Sequence, residues 1–177
     1  MPHPVTKAEI LTALESNAQS IAQYFGGIPD HRFFDGDPDH WSPAHHLAHL
    51  TESSVSITRA LRRGARPIDA TTRSRTYAEV RDAAAAAVAA TPKARLLEMG
   101  RTVVIAPGTS REQVVGAFER ASAEFRAAAA AWNEDAMDRE ALRHPLLGEM
   151  TVREMLYFFV VHERHHLRLV QKREESS

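Results

Sequence analysis

Residues 151–170 read TVREMLYFFVVHERHHLRLV. Met155, Phe159, His162, His166 and Val170 recur at steps of 4, 3, 4 and 4, the spacing that stacks side chains along one face of an α-helix. Thr151, with Glu154 three residues on, is a capping box that gives this helix a defined start. The stripe is apolar from Val152 to Phe159 and then turns to imidazole. Two histidines at i and i+4 on a core-facing stripe are either packed core residues or two metal ligands offered by one helix.

Working outward, three further segments have the same character. Thr6 and Glu9 form a capping box ahead of Ile10, Leu14, Ile21 and Phe25, and Gly26-Gly27 stops that helix. Ser42 with Pro43 at the first helical position opens another, with Leu47, Leu50, Ile57 and Leu61 as its stripe and Gly64 as its end. Ser110 and Gln113 open a third, in which Val114, Phe118, Ala121, Phe125, Ala128 and Trp132 step by 4, 3, 4, 3 and 4. Phe125 and Trp132 read as core. Four amphipathic helices predict an all-α fold, a four-helix bundle in a single domain over 1–177.

Residues 65–109 make a long connection between the second and third bundle helices, too long to be structureless in a compact domain. Thr76 and Glu79 cap an Ala-rich helix to Ala90. Pro92 to Met99 reads as a short helix closed by Gly100, and Arg101 to Pro107 as extended or irregular. No strand pattern is expected anywhere. Pro145 and Gly148 read as turn chemistry between helices, His144 as a capping or surface histidine, and Trp41 as a residue stapling a helix start. The tail from Lys172 to Ser177 reads as frayed.

Composition narrows the chemistry. The 177 residues are 44% hydrophobic and 25% charged, an ordinary globular balance. There is no cysteine, so disulfides, thiolate metal sites and a cysteine nucleophile are excluded. A metal here would need imidazole or carboxylate ligands. Net charge is -1, with ten histidines counted as neutral, and this argues against a nucleic-acid partner. No apolar run reaches the length of a membrane span, and the start lacks a signal-peptide pattern; a cytoplasmic protein that does not engage membrane is expected.

Two ligands from one helix need a third from elsewhere, and the second helix offers His45, His46 and His49. On a 100° wheel His46 lies nearer the apolar stripe. His49 instead heads a row of small residues, Ser53, Ser56 and Ala60, where a neighbouring helix could approach. Spacing does not choose between them. His45 and His49 are also i and i+4, so a four-histidine site is conceivable. Glu52 and Glu163 sit beside candidate ligands and could orient an imidazole or accept a proton, although a helical glutamate is more often a solvated charge. His165 falls about 100° round the helix from His166, towards the rim. His31 and His40 are left unassigned.

His162-Glu163-Arg164-His165-His166 also matches the H-E-x-x-H zinc-protease pattern. That reading fails here. The position three residues after the second histidine is Leu169 where a glycine is wanted, and too little chain follows for a distant third ligand.

Trp41-Ser42-Pro43, then His49-Leu50, then His144-Pro145 and Gly148 ahead of H-x-x-H-H together resemble the DinB-like superfamily. The resemblance runs from the first helix to the fourth, apart from residues 65–109. It implies a triad of His49, His162 and His166 around a divalent transition metal, zinc or nickel foremost. It also implies a thiol-dependent transferase or isomerase, with a low-molecular-weight thiol as cosubstrate and its thiolate favoured by the metal. A non-catalytic metal-binding module, or a helical interaction protein with packed histidines, is the rival reading. A homodimer is expected as the commonest assembly.

Overall fold

The computed structural model describes residues 3–37, 40–69, 73–101 and 103–175. Four long helices make the bundle: α1 (Lys7–Gly26), α3 (Pro43–Arg63), α6 (Arg111–Ala130) and α7 (Val152–Glu175). Short α2 (Asp30–Phe33) lies between the first two, and α4 (Tyr77–Ala90) and α5 (Lys93–Arg101) lie in the long connection. The predicted starts are built as expected. Thr6, Thr76 and Ser110 each accept from the backbone N–H three residues on, and Glu9, Glu79 and Gln113 return the bond. Thr151 and Glu154 exchange the same pair of bonds ahead of α7. Gly64 takes φ 88° at the end of α3, a left-handed value that residues with a Cβ rarely adopt.

Both α1 and α3 pack against α6 and α7, and α3 has its most extensive contact with α6. Helices α1 and α3 therefore lie across the bundle from one another, as do α6 and α7, whereas α3 and α6, joined by the long connection, lie side by side. The long connection permits this, and its α4 covers part of α7. The core divides in two along the helices. One cluster holds Leu14, Phe125, Phe159 and Val160; the other holds Ile21, Phe25, Leu47, Leu50, Phe118 and Val170. Between them the sequence turns polar. Asn17 separates Leu14 from Ile21, and Glu163 and His166 separate Val160 from Val170, all three of them buried.

Three corrections to the sequence reading concern local structure. The first is that a small antiparallel sheet exists: β1 (Arg66–Pro67), β2 (Glu140–His144) and β3 (Gly148–Thr151), in the order β1-β2-β3. Its register pairs Ala141 with Thr151 and His144 with Gly148. Strands of two, five and four residues are too short to show a period, and Glu140 to His144 does not alternate cleanly between buried and exposed. Pro145 and Gly148 thus turn a hairpin rather than a helix pair, with Gly148 at φ 72°. The second is that α5 runs through Gly100 to Arg101. The third is that α7 continues through Lys172 to Glu175, with Arg173 anchored to the loop before α3; Ser176 and Ser177 lie outside the described residues.

Candidate metal centre

The loop before α3 sets the site's edge. A Cβ at Gly36 would lie 2.8 Å from the backbone nitrogen of Ser42, so only glycine lets the chain close there. Ser42 then caps α3. Arg173 of α7 donates to the carbonyl of Trp41 at 3.1 Å, which ties the end of α7 to the start of α3. Between these anchors the imidazoles of α3 meet those of α7.

His49 Nε2 lies 3.2 Å from His162 Nε2, which lies 3.0 Å from His166 Nε2. One ring nitrogen from each of the three falls within 4.8 Å of the others. The second ring nitrogen of His166, Nδ1, is 2.8 Å from Nδ1 of His46. His162 Nδ1 is buried and finds no partner among the described residues. Burial holds His49 down to about 4 and His46 to about 3, the latter helped by neighbouring His49. His162 and His166 are pushed well below the usual imidazole range by burial first and by the adjacent rings second. All four are therefore neutral at pH 7, with lone pairs to offer.

These separations fit a metal. Bonds of about 2.0–2.1 Å put the nitrogens of a tetrahedral centre roughly 3.3 Å apart, and adjacent ones of an octahedral centre roughly 2.9 Å. Hydrogen bonding among the rings alone serves the cluster less well. His162 Nε2 faces two other Nε2 atoms and can share one proton with one of them at a time. A cation accepts all three lone pairs together.

The remaining candidates are dispersed. His45 Nδ1 is 2.8 Å from Ser42 Oγ, so that histidine belongs to the helix cap and stands outside the metal-sized group, which among the described residues holds His49, His162 and His166. His165 is half-buried, with its ring edge-on to His166 at 5.5 Å. Glu52 is exposed and has no hydrogen bond to these rings. Glu163 is 1% exposed but faces the other way, accepting from Asn17 Nδ2 at 3.1 Å. Burial raises its carboxyl to about 8. His31 is exposed, and His40, also exposed, pairs with Asp37.

Two aromatic residues at the site were not marked as such by the sequence. The Trp41 ring centroid is 5.2 Å from those of His46 and His49, and the indole stacks at 8° on His166, 5.9 Å away. The signal was present: with Ser42 as N-cap, Trp41 is N′ and its staple partner at N4 is His46. Phe158 stacks on His162 at 5.2 Å and meets His144 at 4.3 Å. His144 Nδ1 accepts from the backbone of Leu146 and Leu147 at 3.1 Å each, so this histidine caps the hairpin turn.

The sequence pattern of the DinB superfamily matches residues 13–170. The chain belongs to the DinB superfamily. No curated protein matches it. Among solved structures, this DinB-superfamily chain is similar to "TT2238, a four-helix bundle protein", at TM-score 0.61 and 18% identity over 94% of this chain and 99% of that one. It is also similar to YfiT from Bacillus subtilis, at TM-score 0.64 and 12% identity over 97% and 89% of the respective chains. YfiT is described as a probable metal-dependent hydrolase with an unusual four-helix bundle topology. At these identities the likeness is one of fold.

Proposed function

We propose that this protein is a metal-dependent enzyme. His49, His162 and His166 hold one divalent transition ion and leave coordination positions for a small exogenous molecule. The observation that carries this reading is the convergence of three neutral Nε2 atoms, with neighbours 3.0 and 3.2 Å apart. Three protein ligands are the number used by catalytic sites; a structural site is closed by four. Bound there, the ion would polarise a thiol or water and favour its anion. The protein's own part is to keep the rings neutral by burial and to shield them with Trp41 and Phe158.

The exogenous molecule in this reading is a low-molecular-weight thiol, and the reaction a transfer or isomerisation that uses its sulfur. The chain has no cysteine of its own, which fits a sulfur that arrives with the cosubstrate. Hydrolysis is the second reading, favoured by the description of YfiT. The experiment is elemental analysis of untagged wild type, His49→Ala and His162→Ala, followed by cobalt substitution of the wild type. One equivalent in the wild type and none in either variant is expected. Adding a small thiol should then produce a sulfur-to-cobalt charge-transfer band. Metal retained in both variants sinks the triad, and a cobalt spectrum indifferent to thiols leaves hydrolysis.

A further inference from the structure

The short contact between His46 and His166 has no role in the triad itself. His166 has two ring nitrogens and uses them in opposite directions: Nε2 towards His162 at 3.0 Å and Nδ1 towards His46 Nδ1 at 2.8 Å. A neutral imidazole carries one proton, so its position decides what His166 can do. If His46 held a proton on Nδ1, it would donate to His166 and drive the proton of His166 onto Nε2. That nitrogen would then present an N–H to the centre and could not ligate. If His46 Nδ1 is bare, it accepts from His166 Nδ1, and Nε2 offers its lone pair.

We propose that His46 is a positioning residue of the metal centre: its bare Nδ1 accepts the Nδ1–H of His166, locking His166 into the tautomer that can bind metal. The inference rests on the metal reading above. One neighbour, Trp41, holds both rings in place. Trp41 packs on His46 at 5.2 Å and lies nearly parallel to His166, so both rings are backed by one indole. Position 46 is also the staple position of α3, which fixes the ring relative to the helix start.

The choice of an imidazole has an electrostatic consequence. Metal-binding histidines usually donate to a carboxylate, a carbonyl or water, and a carboxylate partner makes the ligand more basic and offsets part of the metal's charge. Here the acceptor is neutral, and no carboxylate bonds to any of these four rings among the described residues. A divalent ion held here would have no carboxylate among the described residues to offset its charge, which would favour an anionic exogenous ligand such as a thiolate.

The test separates accepting a proton from filling space. Zinc affinity is measured by chelator competition in wild type, His46→Phe, His46→Gln and His46→Ala, with the metal-free melting temperature of each as the folding control. Phenylalanine keeps the ring against Trp41 but cannot accept; glutamine can accept but has no ring. Loss of a supporting partner of this kind costs about 10- to 100-fold in affinity. That loss is expected for Phe and Ala, with Gln recovering most of it. In zinc-loaded wild type, long-range proton–nitrogen spectra should show the proton of His46 on Nε2 and that of His166 on Nδ1. Wild-type affinity in His46→Phe, or a proton on His46 Nδ1, overturns the inference while leaving the triad intact. A wild type that takes up no stoichiometric zinc overturns the metal reading itself.

Discussion

Two consecutive residues of α7, His162 and Glu163, lie about 100° apart on the helix and face different neighbours, α3 and α1, and the two sides are built on different terms. On the side towards α1, buried polar groups are matched. Asn17 donates to Glu163 and to the carbonyl of Val160, and its own oxygen accepts from Arg164 at 3.0 Å. Arg164 also reaches the hydroxyl of Tyr77. On the side towards α3, His162 Nε2 lies within 3.2 Å of two other Nε2 atoms and can be joined to only one of them through a proton. Burial alone therefore does not separate structure from function along this helix. Several ring nitrogens aimed at one point do, because hydrogen bonds alone cannot join them all.

The largest expected effect tests that contrast directly. With zinc at about a thousand times its dissociation constant, stabilisation of the folded state is about 4 kcal/mol. For a chain of this size that is an upward shift of roughly 8–16 °C in melting temperature. The shift should vanish in His162→Ala and survive whole in Glu163→Gln. A Glu163→Gln protein that no longer responds to zinc would show that the two sides act as one unit.

Acid provides the second test, on metal-free protein. Burial holds His49 down to about 4 and His46 to about 3, so between those values and about 6.5 the unfolded chain is the greater proton binder. Stability should fall as pH drops below about 6.5, by up to about 1.4 kcal/mol per pH unit for each such histidine. Glu163 has the opposite sign. Its carboxyl is raised to about 8 in the fold, so the folded state binds the extra proton from about 4.5 upwards and loses stability as pH rises to about 8. The histidines outnumber the single glutamate below 6.5, and the glutamate acts alone above it. Urea midpoints of metal-free protein should therefore peak near pH 6.5. A flat profile from pH 6.5 to 5 would mean that the rings are more open to water than their burial indicates.

The same contrast explains what the sequence disclosed. The bundle was legible because each long helix carries both a periodic apolar stripe and a start signal, and the two agree at Thr6, Ser42, Ser110 and Thr151. The pairing of His162 with His166 followed from their spacing. The choice between His46 and His49 did not, because angular position on α3 says where a ring points and not where α7 crosses it. In the structure both rings reach α7, His49 at His162 and His46 at His166. Glu163 could not be placed, since its partner Asn17 is 146 residues away and no local rule links them. The hairpin escaped for another reason: strands of five and four residues are set by Gly148 and by packing on α7, not by their own pattern.

Glu163→Gln sharpens the α1 side. Glutamine keeps an oxygen to accept from Asn17 and removes the cost of a carboxyl that must stay protonated in the fold. At pH 8 the metal-free variant should be more stable than wild type by on the order of 2 kcal/mol, with the decline above pH 6.5 gone. Chemical denaturation at pH 6.5 and pH 8 reads both. A variant less stable than wild type at both values would mean that the carboxyl proton donates a bond which glutamine cannot replace.

The smallest effect lies at the edge of the same network. Arg164 donates to the Tyr77 hydroxyl at 3.3 Å, a long bond on a half-buried guanidinium that also holds Asn17. Water can take the place of the hydroxyl, and the Tyr77 ring stays packed against Tyr157 at 5.7 Å when the oxygen is removed. Tyr77→Phe should therefore cost about 0.5 kcal/mol, the low end for one hydrogen bond, and leave zinc affinity unchanged. A cost of several kcal/mol would make the chain of Tyr77, Arg164, Asn17 and Glu163 a cooperative unit. Its four groups would then stand or fall together, and the matched side of α7 would be as sensitive to single changes as the unmatched one.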